Sequence, residues 1–375
     1  MCGSGMVAGA SGGGAATQVA AASSGATIGG GADLGALGEA LKGITVALQR
    51  LTELIGSLIH SAGASAAGGG AKLVMESNAK QTDPTAVKQT VTAGGASAYD
   101  GNFLLGWNSN DLDRMESVTG RKAELVRFFD RMADHKYQLS AKEKAAVASG
   151  HTLFTSLKPE GTWQDIASGK QDAQLIQYLK SLRDEGGGKV FFAFNHEADG
   201  KQNAQRGSGA DFAAAWRHVY QLAEQLGATS KQGGPINFVW TMTGYGFQPN
   251  VDRVSAFYPG SQYVDVIGAD TYNMGWNGKD SSFAQQMQPV IDWMKREGID
   301  KPVLLPELGT VQHAGDPGAQ ARWLADAANQ LKTNPDFARV IGAMYWNSEG
   351  NNPDVATKDF RLDDAGMRAY ATLDH

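Results

Sequence analysis

From about position 100 to the C-terminus, short apolar runs return eight times: Phe103–Trp107, Leu125–Phe129, Thr152–Leu157, Val190–Phe194, Ile236–Thr241, Val264–Ala269, Val303–Pro306 and Val340–Trp346. Amphipathic segments separate several of them, most clearly 172–183, 211–226, 283–297 and 318–332. Within the first of these, Leu175, Ile176, Leu179 and Leu182 fall at helical spacing. Eight strand-like runs alternating with helices predict an α/β chain closed into a (β/α)8 TIM barrel. The second run is the weakest, because ELVRFF also reads as helix. An open doubly wound sheet is the alternative, but no run is followed by the glycine-rich phosphate loop of dinucleotide sites. Gly186-Gly187-Gly188-Lys189 imitates such a loop, yet it precedes a strand and its lysine is followed by Val190, so it reads as a helix-to-strand connection.

The remainder of the 375 residues has another character. Residues 1–33 are mostly Gly, Ala and Ser and are expected to be disordered, since they offer little apolar surface to set against ordering entropy. Over 34–60 an amphipathic or coiled-coil helix is expected. Leu34, Leu37, Leu41, Ile44, Leu48, Leu51, Ile55 and Leu58 alternate steps of three and four, a heptad seam that would suit a homo-oligomer formed through 34–59. Residues 61–98 read as a flexible linker, leaving 99–375 for the barrel. Cys2 is the only cysteine, which excludes an intrachain disulfide and a thiolate zinc cluster. A net charge of −6 argues against nucleic acid as a partner, and no stretch has the length and apolarity of a membrane span. No secretory leader is recognisable, which leaves a cytosolic chain, one exported by another route, one released by lysis and one missing its true N-terminus all open; the location is unknown, with an extracellular chain exported by a non-classical route, or a virion-associated one, as the expectation.

In a barrel of this kind chemistry sits where the strands end. Reading those ends yields Trp107, Arg127, Lys158, Asn195, His196, Glu197, Trp240, Asp270, Tyr272, Asn273, Glu307, Trp346 and Asn347. Two acids stand out. Glu197 closes FFAFNHEADG and Glu307 closes PVLLPELGT, each directly after a hydrophobic strand where a carboxylate is costly to desolvate. Strands four and seven oppose one another across an eight-stranded barrel, so both acids can address one pocket. A facing pair of this sort is what double-displacement glycoside hydrolysis needs.

The HE pair at strand four, the KPVLLPELG segment at strand seven and the intervening FYPGSQYVDVIGADTYN resemble clan A glycoside hydrolases, and within them family 26, over roughly residues 100–370. That family includes β-mannanases, some β-1,3-xylanases and β-glucanases. The resemblance implies retention of configuration, with Glu197 as acid/base and Glu307 as nucleophile. It also implies that His196 orients the acid/base, that Tyr272 contacts the nucleophile, and that Trp346 is the aromatic floor under the sugar at the cleavage point. The chain departs from typical mannanases after the acid/base, where it reads Glu197-Ala198-Asp199-Gly200 with no aromatic soon afterwards.

A sugar cleft has a physical rationale of its own. Pyranose C–H faces stack on indole, and their hydroxyls need convergent polar groups. Trp107, Trp240 and Trp346 stand at strand ends, with Trp163 and Trp276 in the loops beyond; Lys158, Asn195, Asp270, Asn273 and Asn347 can supply hydrogen bonds. Trp216, Trp293 and Trp323 fall at apolar helix positions and read as packing. The functional expectation is a retaining hydrolase of a β-linked polysaccharide (mannan-like, β-glucan or exopolysaccharide), with no cofactor and no metal. A non-catalytic carbohydrate-binding barrel, such as an adhesin or virion component, is the alternative. An aldolase using Lys158 as a Schiff-base lysine is a third reading without a matching phosphate loop.

Overall fold

A computed structural model describes residues 102–108, 110–350 and 358–374. The segment 1–33, the helix expected at 34–60 with its heptad seam, and the linker 61–98 lie outside the described residues.

Eight strands form: β1 Leu104–Asn108, β2 Leu125–Arg131, β3 Thr152–Lys158, β4 Val190–Phe194, β5 Ile236–Thr243, β6 Val266–Asn273, β7 Val303–Thr310 and β8 Val340–Tyr345. Each pairs in parallel with its sequence neighbours, and β8 pairs back onto β1, so the sheet is a closed barrel in chain order. Closure excludes the open doubly wound alternative. The ambiguous ELVRFF run is strand: Leu125 packs inside the barrel, while Val126 and Phe128 pack against the helix layer, the period of two that a strand imposes.

The helices that cover the barrel include α1 Leu112–Thr119, α2 Ala141–Ala148, α3 Trp163–Ala167, α4 Asp172–Glu185, α5 Gly209–Gln225, α6 Phe283–Arg296, α7 Ala319–Thr333 and α8 Asp364–Tyr370. Ser140, Thr162, Ser208 and Ser282 open α2, α3, α5 and α6 with reciprocal capping boxes, which satisfy the first free N–H groups of each helix. The four long helices α4 to α7 are those the periodicity predicts; the shorter ones carry too few turns to show a clear apolar stripe. Between β5 and β6 the crossover runs through 3₁₀ turns at Gly244–Phe247, Val254–Phe257 and Ser261–Tyr263 instead of a long helix.

Two apolar layers result. Leu125, Phe154, Phe191, Val239, Leu304 and Met344 fill the barrel, and a larger layer joins its outer face to the helices. One irregularity bears on function. Against β8, Leu305 pairs Ala343 and Leu308 pairs Tyr345, so two residues of β7 oppose one of β8. Against β6, Gly268 pairs Leu304 and Thr271 pairs Leu308, so β7 has an extra residue there too. The residues in question are Pro306 and Glu307. Proline has no N–H for the ladder, and the bulge it occupies re-aims the side chain that follows.

Candidate active site

Past the end of β4, Asn195 and Glu197 adopt left-handed backbone, with φ of 46° and 50°. A non-glycine residue there stores strain and persists only where its surroundings over-determine it. They do so here. The Asn195 N–H donates to the Leu157 carbonyl (2.8 Å) and the Glu197 N–H to the Thr241 carbonyl (3.0 Å), which ties the loop to β3 and β5. The Trp163 indole N–H donates to Asn195 Oδ1 (3.0 Å), and Asn203 Nδ2 to the Glu197 carbonyl (2.9 Å). The reward for the strain is orientation: Glu197 turns toward the barrel axis instead of following the strand.

From the β7 bulge Glu307 reaches the same space. Its Oε1 accepts from Arg127 Nη2 (3.1 Å) and its Oε2 from the Tyr272 hydroxyl (2.6 Å). Arg127, on β2, is fully buried inside the barrel, its guanidinium lying 4.4 Å from the Phe129 ring and 4.5 Å from that of Phe154. Asp270, from β6, completes the cluster. One carboxylate oxygen from each of Glu197, Asp270 and Glu307 lies within 4.8 Å of the others.

Three acids around one guanidinium cannot all ionise. Burial, then the neighbouring charges of Glu307 and Asp199, push Glu197 up from 4.5 to about 8. Burial and the Glu307 charge hold Asp270 well above the carboxylate range, and neither of its oxygens has a hydrogen-bond partner. Burial and Glu307 likewise raise the Tyr272 phenol, so it remains a donor. Burial, with the charges of Arg127 and Lys158, depresses His196, which stays neutral. Near neutral pH the raised Glu197 carboxyl therefore tends to keep its proton, beside Glu307, whose two oxygens are held by a cation and a hydroxyl. The three acids are also the set that could offer oxygens to a cation, but Arg127 already supplies positive charge there.

Not all the expected residues converge. His196, Tyr272 and Asp270 do, and Trp346 lies edge-on to Phe129 with ring centroids 5.5 Å apart. Phe129 in turn meets the edge of His196 at 5.2 Å. Lys158 is partly exposed at the end of β3, near enough for its charge to act on His196.

Trp107 and Trp240 are corrections: both are fully buried and cannot floor a sugar. Leu104 packs beside the barrel interior and Val239 inside it, so strand alternation sends Trp107 and Trp240 outward into the helix layer. There Trp107 stacks on Tyr345 at 5.6 Å and Trp240 on Trp293 at 5.4 Å. Asn347 is also structural, giving Nδ2 to Asp111 and accepting the Leu362 N–H on Oδ1. Asn195 spends its side chain on Trp163 and on the His196 carbonyl, so it positions the loop and does not face a ligand. Asn273 bonds Asp280 and Thr310. The exposed aromatics include two that the strand-end reading passed over, Phe129 and Tyr245, together with Trp276. Phe129 was legible as the residue after Phe128, one face across the pleat. Tyr245 had only a flanking pair of glycines to mark it.

A model of glycosyl hydrolase family 26 matches residues 168–296, a span that contains Glu197 and stops short of Glu307. Endoglucanase H of Acetivibrio thermocellus is 25% identical over 250 residues, 62% of this chain and 26% of that protein, so the chain spans about a quarter of this relative's length. Among solved structures, GH26C from Muricauda sp. MAR_2010_75 aligns with a TM-score of 0.51 at 14% identity, covering 72% of this chain and 85% of that one. A glucosidase from Croceicoccus marinus aligns with a TM-score of 0.50 at 12% identity, covering 74% and 68%. At these identities the two structures speak to the fold.

Proposed function

We propose that the chain is a clan A glycoside hydrolase similar to family 26 and that it cleaves a β-linked polysaccharide with retention, by double displacement through Glu307 and Glu197. A Glu307 oxygen attacks the anomeric carbon as the glycosidic C–O bond breaks, and Glu197 gives its proton to the departing oxygen. The bond to Glu307 then breaks as water, deprotonated by Glu197, attacks the same carbon, which restores both side chains.

The observation that carries this reading is the close approach of the two carboxylates within 4.8 Å, with Glu307 held by Arg127 and Tyr272; burial and the neighbouring charges, which push Glu197 up, support it. Retaining sites hold their carboxyl groups about 5–5.5 Å apart, and inverting sites hold them wider, at roughly 6.5–9.5 Å, to admit water between. Different protonation of two neighbouring acids is what lets one act as nucleophile and the other as acid. His196, Phe129 and Trp346 form a run of ring contacts, and Phe129 also packs on the Arg127 that holds Glu307, a surface suited to a pyranose C–H face. Lys158, partly exposed at the end of β3, lies near enough to His196 for its charge to act there and is a candidate for bonding a sugar hydroxyl.

The experiment is a panel of β-mannan, β-glucan, β-xylan and bacterial exopolysaccharides read by reducing-sugar release, for wild type, Glu197→Ala and Glu307→Ala. Release by wild type on at least one polymer, and loss of it in both variants, is expected. Binding without turnover, equal in wild type and the double variant, would mean a carbohydrate-binding barrel instead.

A further inference from the structure

The turn after β5 carries a ring that this chemistry leaves unused. Gly244–Phe247 is a short 3₁₀ turn, and within it Tyr245 is 63% exposed, the largest exposure among the described big hydrophobic side chains. Glycines flank it, and each marks a close approach. A Cβ on Gly244 would lie 2.9 Å from the Asp270 carbonyl oxygen; one on Gly246 would lie 2.2 Å from Asp199 Oδ2. The main chain on either side of Tyr245 is thus pressed against Asp270, a member of the carboxylate cluster, and against Asp199, two residues beyond Glu197.

The turn is also rigid. Thr243 gives its N–H (2.9 Å) and its hydroxyl to Asp199, and its hydroxyl accepts the Gly246 N–H (3.1 Å). The Arg253 N–H donates to the Gly246 carbonyl (3.1 Å), and the Arg253 guanidinium lies 5.2 Å from the Tyr245 ring centroid. An aromatic ring braced in this way loses little rotamer freedom when a ligand stacks on it.

We infer that Tyr245 is the sugar platform on the leaving-group side of the cleavage point. This rests on the glycosidase reading above. Glu197 hands its proton to the departing oxygen, so the sugar that leaves must lie on the acid's side. Tyr245 sits on the turn bolted to the acid's own loop, whereas Phe129 and Trp346 come from β2 and β8. The occupant is a neutral pyranose offering a C–H face.

The test compares two substrates of one glycone in the full chain: a β-1,4-linked manno- or gluco-oligosaccharide that wild type cleaves, and the matching β-glycosyl fluoride, whose leaving group has no ring to stack. Tyr245→Ala is expected to lose about tenfold more in kcat/KM on the oligosaccharide than on the fluoride, and Tyr245→Phe to restore the ratio. Equal losses on both substrates would overturn this inference and leave the hydrolase reading standing. As a second measurement, migration through gels containing mannan or β-glucan is read in a Glu307→Ala background. Retardation that Tyr245→Ala weakens supports the platform; retardation that it leaves alone, or no retardation, overturns it. Wild type failing to cleave any oligosaccharide would instead strike the hydrolase reading itself.

Discussion

Replacing Glu197 by glutamine should make this protein a poor catalyst and a more stable fold at once, with a pH signature that identifies the cause. The folded chain holds the Glu197 carboxyl at about 8, against 4.5 for the unperturbed group. At pH 7 it is therefore mostly protonated, ready to act as an acid. An acid raised by folding binds its proton more tightly in the folded state. Stability is then greatest below the unfolded value and falls as pH climbs from about 4.5 to 8, after which the loss is complete. At 1.36 kcal/mol per tenfold, that loss is on the order of 5 kcal/mol as an upper bound. Glutamine cannot ionise, so Glu197→Gln should gain in melting temperature relative to wild type as pH rises through this window, and the gain should level off above pH 8. Removing the proton donor should lower kcat/KM on polysaccharide by about 10²–10⁴ and remove the alkaline limb near pH 8 that wild type is expected to show. Melting curves from pH 4 to 9, paired with pH–rate profiles, read both effects. A stability difference that ignores pH, or that shrinks as pH rises, would refute the reasoning.

Three further outcomes follow from the same geometry. Tyr272→Phe removes the 2.6 Å hydrogen bond to Glu307; a bond to a charged group is worth about 1.5–3 kcal/mol, so kcat should fall about tenfold to a hundredfold with an unchanged circular dichroism spectrum. Asp270→Asn replaces an acid held well above its usual range, whose oxygens have no partner, by a near-isostere that never charges; calorimetry at pH 7–8 should find its melting temperature at or above wild type, and a drop of several degrees would contradict a protonated Asp270. Trp240→Phe should cost about 1–3 kcal/mol of stability and leave KM unchanged, because that indole packs on Trp293 and gives its N–H to the Phe257 carbonyl. A raised KM without loss of stability would return Trp240 to the cleft.

Much of this architecture is written in local pattern. The eight apolar runs, the four long amphipathic helices, the acid just past strand four and the acid within strand seven are all short-range features, and the barrel converts them into one mouth. What escaped is what depends on neighbours far along the chain. In the sequence Trp107 and Trp240 close apolar runs as Trp346 does, but both lie within their strands, where parity decides which face a side chain takes and sends both to the helices. Neither the left-handed backbone at Asn195 and Glu197 nor the extra residue in β7 can be read from composition, since each is held by contacts with Leu157, Thr241 and Trp163 or by pairing with β6 and β8. Arg127 lay in the run that looked least like a strand, so its reach to Glu307 across 180 positions was legible only as one more charge at a strand end.

The most direct measurement is to trap the intermediate. Incubation with 2-deoxy-2-fluoro-β-glycosyl fluorides of the mannose and glucose series, followed by intact-mass and peptide mapping, should find one added glycosyl group per chain, bound to Glu307 and absent from Glu307→Gln. Label on another residue, or an enzyme that turns over polysaccharide yet never accepts the label and releases product of inverted configuration, would contradict double displacement at this pair.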